Sequence, residues 1–172
     1  MLFGKSVTGW SRLEGNNMHL SYASLKAYRD IDNYWEVGRL SRFERAYAYA
    51  ALNRLNVLYM VKRAGSGHIG SSFSSMEIIT WMMLEHPEIT FFSSKGHDCP
   101  AFYVNLIALG KLPFDMLHRL RRVGGLPGHP ELRTPGIVAS SGSLGMGTMR
   151  MPAWRLRRGL SKRPRSTAPA ST

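Results

Sequence analysis

The sequence has a single cysteine and lacks the long apolar segments that are typical of secretion signals and membrane spans. It contains one cysteine, Cys99, in 172 residues. An internal disulfide is therefore excluded, and a reducing compartment such as the cytoplasm is expected. No apolar run reaches the length of a bilayer span, and residues 1–6 lack the apolar segment of a secretory signal. The apolar content of 44% can still supply the core of one domain.

Acidic residues are also scarce, with 11 against 23 lysines and arginines, and none follows Glu131. The net charge of +12 raises the hypothesis of a non-catalytic basic protein that binds nucleic acid or acidic partners. Seven of the basic residues lie in 148–172, which leaves 16 basic against 11 acidic residues elsewhere. The excess charge belongs mainly to this tail, which argues against nucleic acid. A mildly basic remainder suits a substrate that carries phosphate.

The sequence predicts three parts. Residues 1–38 are expected to form an irregular leader, because glycines interrupt any apolar period, with room for a short helix around 22–28. Residues 39–147 are expected to form the folded domain. Residues 148–172 are rich in Arg, Pro, Ser and Thr without an apolar period, which predicts a basic disordered tail.

Helical periodicity is clearest in 39–64, which predicts a long helix with Gly65 as its C-cap. A second helix is predicted from a capping box of Ser74 and Glu77. The predicted apolar stripe of the first helix comprises Leu40, Phe43, Tyr47, Ala50, Ala51, Leu55, Leu58 and Val61.

The second half of the domain shows shorter elements. A short apolar run at 89–92 predicts a buried strand. Asp98 is expected to cap a helix over 100–109, and Pro113 to begin another that reaches 121. The succession of helix, loop and strand predicts an α/β fold, a parallel sheet flanked by helices, in which binding residues collect in loops beyond the strand ends.

Glycine and proline concentrate in 124–147, where they surround specific residues rather than forming a monotonous linker. His129 lies between Gly128 and Pro130, so its backbone is restricted and its ring is aimed. His68 and His97 also lie in glycine-containing loops. On local context alone, each is more often a turn or surface histidine. Three imidazoles that converge on one cleft could donate hydrogen bonds to hydroxyl and phosphate oxygens and relay protons.

Three motifs occur in a specific order. They are RAGSGHIG at 63–70, SSKGH at 93–97, and GLPGHPE, TPGI and GSLGMG within 124–147. Together they resemble the N-terminal, thiamine-diphosphate-binding part of transketolase, over about residues 40–147. The resemblance implies a partial thiamine-diphosphate-binding fold. It implies transfer of a two-carbon ketol unit from a ketose phosphate to an aldose phosphate.

The resemblance also implies roles for the site residues. His68 would aid proton transfer and hold sugar oxygens of the substrate. His97 would approach the cofactor diphosphate, and His129 would contact the hydroxyl of the transferred unit. The loop of Gly142, Ser143 and Leu144 would contact the cofactor ring system through its backbone. Without the resemblance, this glycine-rich element is a weak signal that fits an ordinary turn.

Magnesium is the point at which the sequence departs from the family. The resemblance implies thiamine diphosphate with Mg²⁺, which prefers hard oxygen ligands. The family's Gly-Asp-Gly motif and its later Asn do not occur here, so we assign no metal ligand. The gaps between the three histidines also lack the spacing of a zinc site. The glutamate that activates the cofactor belongs to a later domain of the family.

These departures predict a chain that is truncated or frame-disrupted after Gly147 and is inactive alone. Its expected partners are sugar-phosphate substrates and either the C-terminal transketolase part or a second subunit. The intact form would be a homodimer or a heterotetramer. The main alternative function is a related enzyme, similar to 1-deoxy-xylulose-5-phosphate synthase, but the Ser-Lys-Gly-His and Gly-His-Pro-Glu motifs favour transketolase.

Overall fold

The computed structural model describes residues 10–13, 20–89, 92–143 and 145. The described residues are mainly helical. In chain order the elements are β1 (Trp10–Leu13), β2 (Leu20–Ala23), α1 (Leu25–Glu36), α2 (Arg42–Ala64), α3 (Ile69–Ser74), α4 (Met76–Glu85), α5 (Cys99–Ala108) and a 3-10 helix (Phe114–His118). The predicted tail, 148–172, lies outside the described residues and stays a prediction.

The leader is more ordered than the sequence predicts. Strands β1 and β2 pair antiparallel, with Trp10 opposite Ala23, and the 12-residue α1 follows at once. Asn56 on α2 fixes the end of β2, because its Oδ1 accepts from the Ala23 N–H over 2.7 Å and its Nδ2 donates to the Ala23 carbonyl over 3.1 Å. The regular structure in this segment thus depends on a side chain 33 residues away, which local periodicity does not reveal.

Helix α2 is the central element and confirms the long helix predicted over 39–64. Gly65 caps it in the left-handed conformation, with φ of 74°, as predicted. The capping box lies at its start: Ser41 Oγ accepts from the Glu44 N–H, and Glu44 Oε2 accepts from the Ser41 N–H. The capping box predicted for α4 from Ser74 is wrong. Ser75 is the N-cap of α4.

The predicted apolar stripe of α2 is wrong at several positions. Phe43 and Tyr47 are 70% and 68% exposed, and Phe43 stacks on Trp81 at the surface. The buried face instead carries Asn53 and Asn56, which are almost fully buried. Because α2 packs against β2, α1, α4 and α5, its buried face is chosen by hydrogen bonds to these elements as well as by apolar area.

Helix α5 lies in the centre of the main core, and every residue from Cys99 to Ile107 is buried. It confirms the helix predicted over 100–109, whereas the helix predicted over 113–121 is shorter, a 3-10 helix over Phe114–His118. The strand predicted over 89–92 is wrong at its two described ends: Ile89 lies in a turn closed by its N–H and the His86 carbonyl, and Phe92 has no regular structure. Residues 90–91 lie outside the described residues.

The described part of the chain contains one two-stranded sheet, the antiparallel β1–β2 pair. The parallel sheet predicted from the alternation of elements is not seen there. None of the described helices combines the length and the apolar character that crossing a membrane requires.

Candidate functional site

The three predicted histidines meet in space. The ring centroids of His68 and His97 are 4.5 Å apart, and those of His97 and His129 are 5.3 Å apart, with both ring pairs near perpendicular. The rings come from three separate segments: the residue before α3, the turn before α5, and the glycine-rich loop after the 3-10 helix. Segments up to 61 residues apart in sequence therefore form one cluster, which we call the histidine cluster.

His68 is placed by the turn between α2 and α3. Gly67 has φ of 150°, and a Cβ there would lie 2.8 Å from Val61 Cγ2, so the chain passes too close to α2 for any other residue. The Ser72 hydroxyl donates to the His68 carbonyl over 2.8 Å and fixes the first turn of α3. The His68 side chain is exposed, which leaves it accessible to a ligand.

His97 is held in one tautomer. Its Nδ1 lies 2.8 Å from the Lys95 carbonyl oxygen, which can only accept, so Nδ1 carries a hydrogen. In the neutral ring Nε2 is then an acceptor, and it becomes a donor only when the ring is protonated.

The residue before His97 is constrained by the glycine-rich loop. Gly96 has φ of 69°, and a Cβ there would lie 2.8 Å from Ser141 Oγ and 3.1 Å from the Gly142 nitrogen. Only glycine lets these two backbone segments approach so closely. The approach brings the turn of His97 against the loop that follows His129.

His129 is anchored through its backbone to α5. The Cys99 thiol donates to the Gly128 carbonyl over 2.9 Å, and the Tyr103 hydroxyl donates to the His129 carbonyl over 3.1 Å. Burial raises the pKa of the Cys99 thiol to about 12, so the sulfur stays protonated and acts as a donor rather than a nucleophile. The Ser141 N–H closes the loop by donating to the Pro130 carbonyl over 3.1 Å.

The electrostatics of the cluster favour a neutral His129. Partial burial lowers its pKa below the usual value, and the nearby His97, Arg121 and His68 lower it further. A neutral imidazole offers one donor and one acceptor. His129 is thus suited to hold a hydroxyl group, which needs both.

The predicted loop residues are only partly described. A Cβ on Gly142 would lie 3.8 Å from His129 Cγ, so the Gly142 backbone packs beside that ring. Ser143 follows as an exposed residue, and Leu144 lies outside the described residues. The structure therefore brings together His68, His97, His129 and Gly142, and their individual roles stay predictions.

Three residues near the cluster were missed as site candidates. Arg121 has φ of 55° and donates from Nη1 to Ser66 Oγ, beside His68. Asp98 Oδ1 and Ser141 Oγ are buried without a hydrogen-bond partner among the described residues. Asp98 was expected to cap α5, but its side chain makes no cap hydrogen bond, and its Oδ2 accepts from Ser93 Oγ over 2.7 Å. The sequence signal that could have identified Asp98 was its place directly before an apolar helix. Arg121 gives no comparable signal, because it lies in an arginine-rich loop.

Of the two cofactors that the resemblance implies, thiamine diphosphate and Mg²⁺, the described residues suit the first. Imidazoles, a close glycine approach and the buried Ser141 hydroxyl, which has no partner among the described residues, provide donors that suit a phosphorylated ligand. The described residues contain no group of three or more His, Cys, Asp or Glu side chains able to hold a metal ion, so no Mg²⁺ ligand set is assigned to them.

Comparison with known proteins shows the family. Residues 46–158 match the family model described as "Transketolase, thiamine diphosphate binding domain". This match covers about two thirds of the 172 residues, and the chain belongs to this family. The match reaches 11 residues beyond Gly147, so it does not end where the motif resemblance ends.

Relatives in the family include single subunits of two transketolases. The chain is 34% identical to a subunit of the apulose-4-phosphate transketolase of Phocaeicola vulgatus, over 55% of this chain and 38% of the relative. It is 34% identical to the SqwG subunit of the 6-deoxy-6-sulfo-D-fructose transketolase of a Clostridium strain, over 51% and 36%. It is 31% identical to the transketolase of Kluyveromyces lactis, over 55% and 16%. The matched region thus spans less than half of each of these relatives.

Proposed function

We propose that this chain supplies the N-terminal part of a transketolase site. The parent reaction transfers a two-carbon ketol unit from a ketose phosphate to an aldose phosphate with thiamine diphosphate. The observation that carries the proposal is the convergence of His68, His97 and His129 from three segments on one cluster. Membership of the thiamine diphosphate binding family supports the cofactor.

In this proposal each of the three histidines has a separate role. When bound, thiamine diphosphate supplies the bond-breaking chemistry. His68, which is exposed, moves a proton and holds sugar oxygens. His97 faces the diphosphate, to which Nε2 can donate only as an imidazolium, because Nδ1 is bound to the Lys95 carbonyl. His129, whose pKa is lowered, holds the hydroxyl of the transferred unit as a neutral ring.

The loop after His129 would face the cofactor ring. Gly142 packs beside the His129 ring, and its lack of a side chain leaves the backbone accessible. We assign contacts to the ring system to the backbone of Gly142, Ser143 and Leu144.

The chain needs further protein for turnover. No group of three or more His, Cys, Asp or Glu side chains among the described residues could hold a metal ion, and the resemblance implies that the activating glutamate lies in a later domain. Two relatives are named as one of the subunits of a transketolase, which indicates that those enzymes are divided between chains. We therefore propose that a C-terminal transketolase part or a second subunit completes the site. The assembly would be a homodimer or a heterotetramer in the cytoplasm. The same partner or the rest of the domain would complete the parallel sheet expected for the fold.

Calorimetry with the 172-residue chain tests the proposal. Thiamine diphosphate should bind more tightly than thiamine, because a protonated His97 and the Ser141 hydroxyl can donate hydrogen bonds to the diphosphate. His97→Ala should weaken thiamine diphosphate binding by at least about tenfold, because a hydrogen bond to a charged group contributes roughly 1.5–3 kcal/mol. His86→Ala is the matched control, because the His86 side chain is 40% exposed and its Nδ1 lies 3.4 Å from the Glu88 carboxylate.

Two results would overturn the proposal. One is equal affinity for thiamine and thiamine diphosphate. The other is equal weakening by the His97 and His86 substitutions, which would show that the histidine cluster is not the binding site.

A further inference from the structure

Arg121 bridges two of the segments that build the histidine cluster. Its Nη1 donates to Ser66 Oγ over 3.0 Å, in the loop that carries His68. Its guanidinium lies against Gly128, where a Cβ would stand 2.8 Å from Nε and 3.2 Å from Cζ. The absence of a side chain at Gly128, directly before His129, therefore makes room for the Arg121 side chain.

The backbone of Arg121 is held in an unfavourable conformation. Among the described residues it is the one non-glycine with a positive φ, 55°. Its N–H donates to the Leu126 carbonyl over 2.7 Å, and the Leu126 N–H donates to the Arg119 carbonyl over 2.9 Å. This pair of hydrogen bonds imposes the left-handed conformation on Arg121. Backbone strain of this kind clusters at active sites, ligand clamps and switch regions.

Arg121 also lacks a counter-ion in the part of the chain that the structure describes. Arg45, Arg54, Arg119 and Arg133 each pair with a carboxylate there, whereas Arg121, like its neighbour Arg122, has no carboxylate within 4 Å. A guanidinium has five donors, and the recorded hydrogen bond to Ser66 uses one of them. Its charge lowers the pKa of His129, which places it within electrostatic reach of the cluster. Arg121 is exposed, and its contacts at Ser66 and Gly128 lie within two residues of His68 and His129 in sequence.

We propose that Arg121 is the residue that recognises a phosphate group of the ligand at the histidine cluster. The planar guanidinium fork matches two oxygens of a phosphate, and its fixed direction lowers the entropy lost on binding. The inference rests on the proposed function for the identity of the ligand. The phosphate belongs either to the cofactor diphosphate or to the sugar phosphate.

Substitutions at Arg121 test this role in the complete chain. Arg121→Asn removes the charge but tolerates the left-handed backbone, since asparagine adopts it more readily than most residues. Arg121→Lys keeps the charge but loses the fork. Arg122→Asn is the matched control, because Arg122 is an exposed neighbour with the same charge, and its recorded hydrogen bond is a long one of 3.4 Å to the Arg63 carbonyl.

Calorimetry then compares two phosphorylated probes, thiamine diphosphate and ribose 5-phosphate, with thiamine and ribose as phosphate-free references. Arg121→Asn should weaken one phosphorylated probe at least tenfold, Arg121→Lys by less, and Arg122→Asn by less than twofold. Weakening of thiamine diphosphate identifies the cofactor diphosphate as the source. Weakening of ribose 5-phosphate identifies the sugar phosphate.

The outcomes separate this inference from the proposed function. If both phosphorylated probes bind Arg121→Asn and Arg122→Asn equally well, the inference is overturned while cofactor binding stands. If ribose 5-phosphate requires Arg121 but thiamine diphosphate does not bind, the inference stands and the proposed function fails. If neither probe binds the unaltered chain, both fail.

Chemical modification of the unaltered chain avoids any misfolding of the variants. Phenylglyoxal should modify Arg121, and pyrophosphate should slow that reaction without slowing modification of Arg122. Mass spectrometry of peptides reads both rates. Equal rates at Arg121 with and without pyrophosphate would overturn the inference.

Discussion

Asn53 on α2 and Asn105 on α5 are joined side chain to side chain in the core, with Asn53 Nδ2 donating to Asn105 Oδ1 over 2.8 Å. Asn53 also accepts a hydrogen bond from the Tyr28 hydroxyl over 2.8 Å, and its amide lies 3.4 Å from Thr80 Oγ1. One buried amide thus connects four helices: α1, α2, α4 and α5.

Asn53→Ala should lower the free energy of unfolding by about 2–3 kcal/mol, because Asn105 Oδ1 is left buried without its donor. Urea denaturation measures the loss. Asn33→Ala is the control, since Asn33 is exposed on α1, and it should change stability by less than about 0.5 kcal/mol. A similar loss in both variants would contradict a structural role for the buried amide.

Tyr103→Phe should loosen the His129 loop. The substitution removes the hydrogen bond from the Tyr103 hydroxyl to the His129 carbonyl and should cost about 1 kcal/mol in urea denaturation. Burial raises the pKa of the Tyr103 phenol, so the hydroxyl remains a donor across the usable pH range. Tyr47→Phe, at a position 68% exposed, should have no measurable effect. If Tyr103→Phe is as stable as the unaltered chain, the hydrogen bond does not hold the loop.

Stability should fall in mild acid because of His118. Its Nδ1 lies 2.7 Å from the Tyr59 hydroxyl. Burial lowers its pKa and Arg63 adds to the effect, while Asp115 opposes it. A folded-state pKa below the unfolded value of about 6.5 means that the unfolded chain binds the extra proton first. The stability present above pH 6.5 is then lost as pH falls from 6.5 through the folded-state pKa.

Urea midpoints measured between pH 8 and pH 5.5 test this expectation. His118→Gln should reduce the acid-induced loss without abolishing it, because the pKa of His129 is lowered in the same direction. An unchanged pH dependence in His118→Gln would contradict the prediction.

The isolated chain should show no transketolase turnover. The reason is that no group of three or more His, Cys, Asp or Glu side chains among the described residues could hold Mg²⁺, and that the resemblance implies an activating glutamate in a later domain. A coupled assay with ketose and aldose phosphates, thiamine diphosphate and Mg²⁺ gives the measurement. Cofactor-dependent turnover well above a blank without the chain would refute the prediction.

The sequence by itself determined the elements whose signals are local. The helical period and the glycine at its end were enough to predict α2 and its cap at Gly65. Specific residues in order, such as those around His68, His97 and His129, were enough to identify the family. Both kinds of signal lie within short segments, so they can be interpreted without knowledge of how the segments pack.

The tertiary structure alone decided which face of α2 is buried, because that choice depends on distant partners. Asn53 is hydrogen-bonded to Asn105, 52 residues away in sequence, and Asn56 to Ala23, 33 residues away. Polar residues therefore enter the core while Phe43 stays exposed. The role proposed for Arg121 has the same origin. Its left-handed backbone and its contact with Ser66, 55 residues away, arise from loops brought together by folding. On α2, the buried hydrogen bonds of Asn53 and Asn56 outweigh the hydrophobic pattern of a single helix.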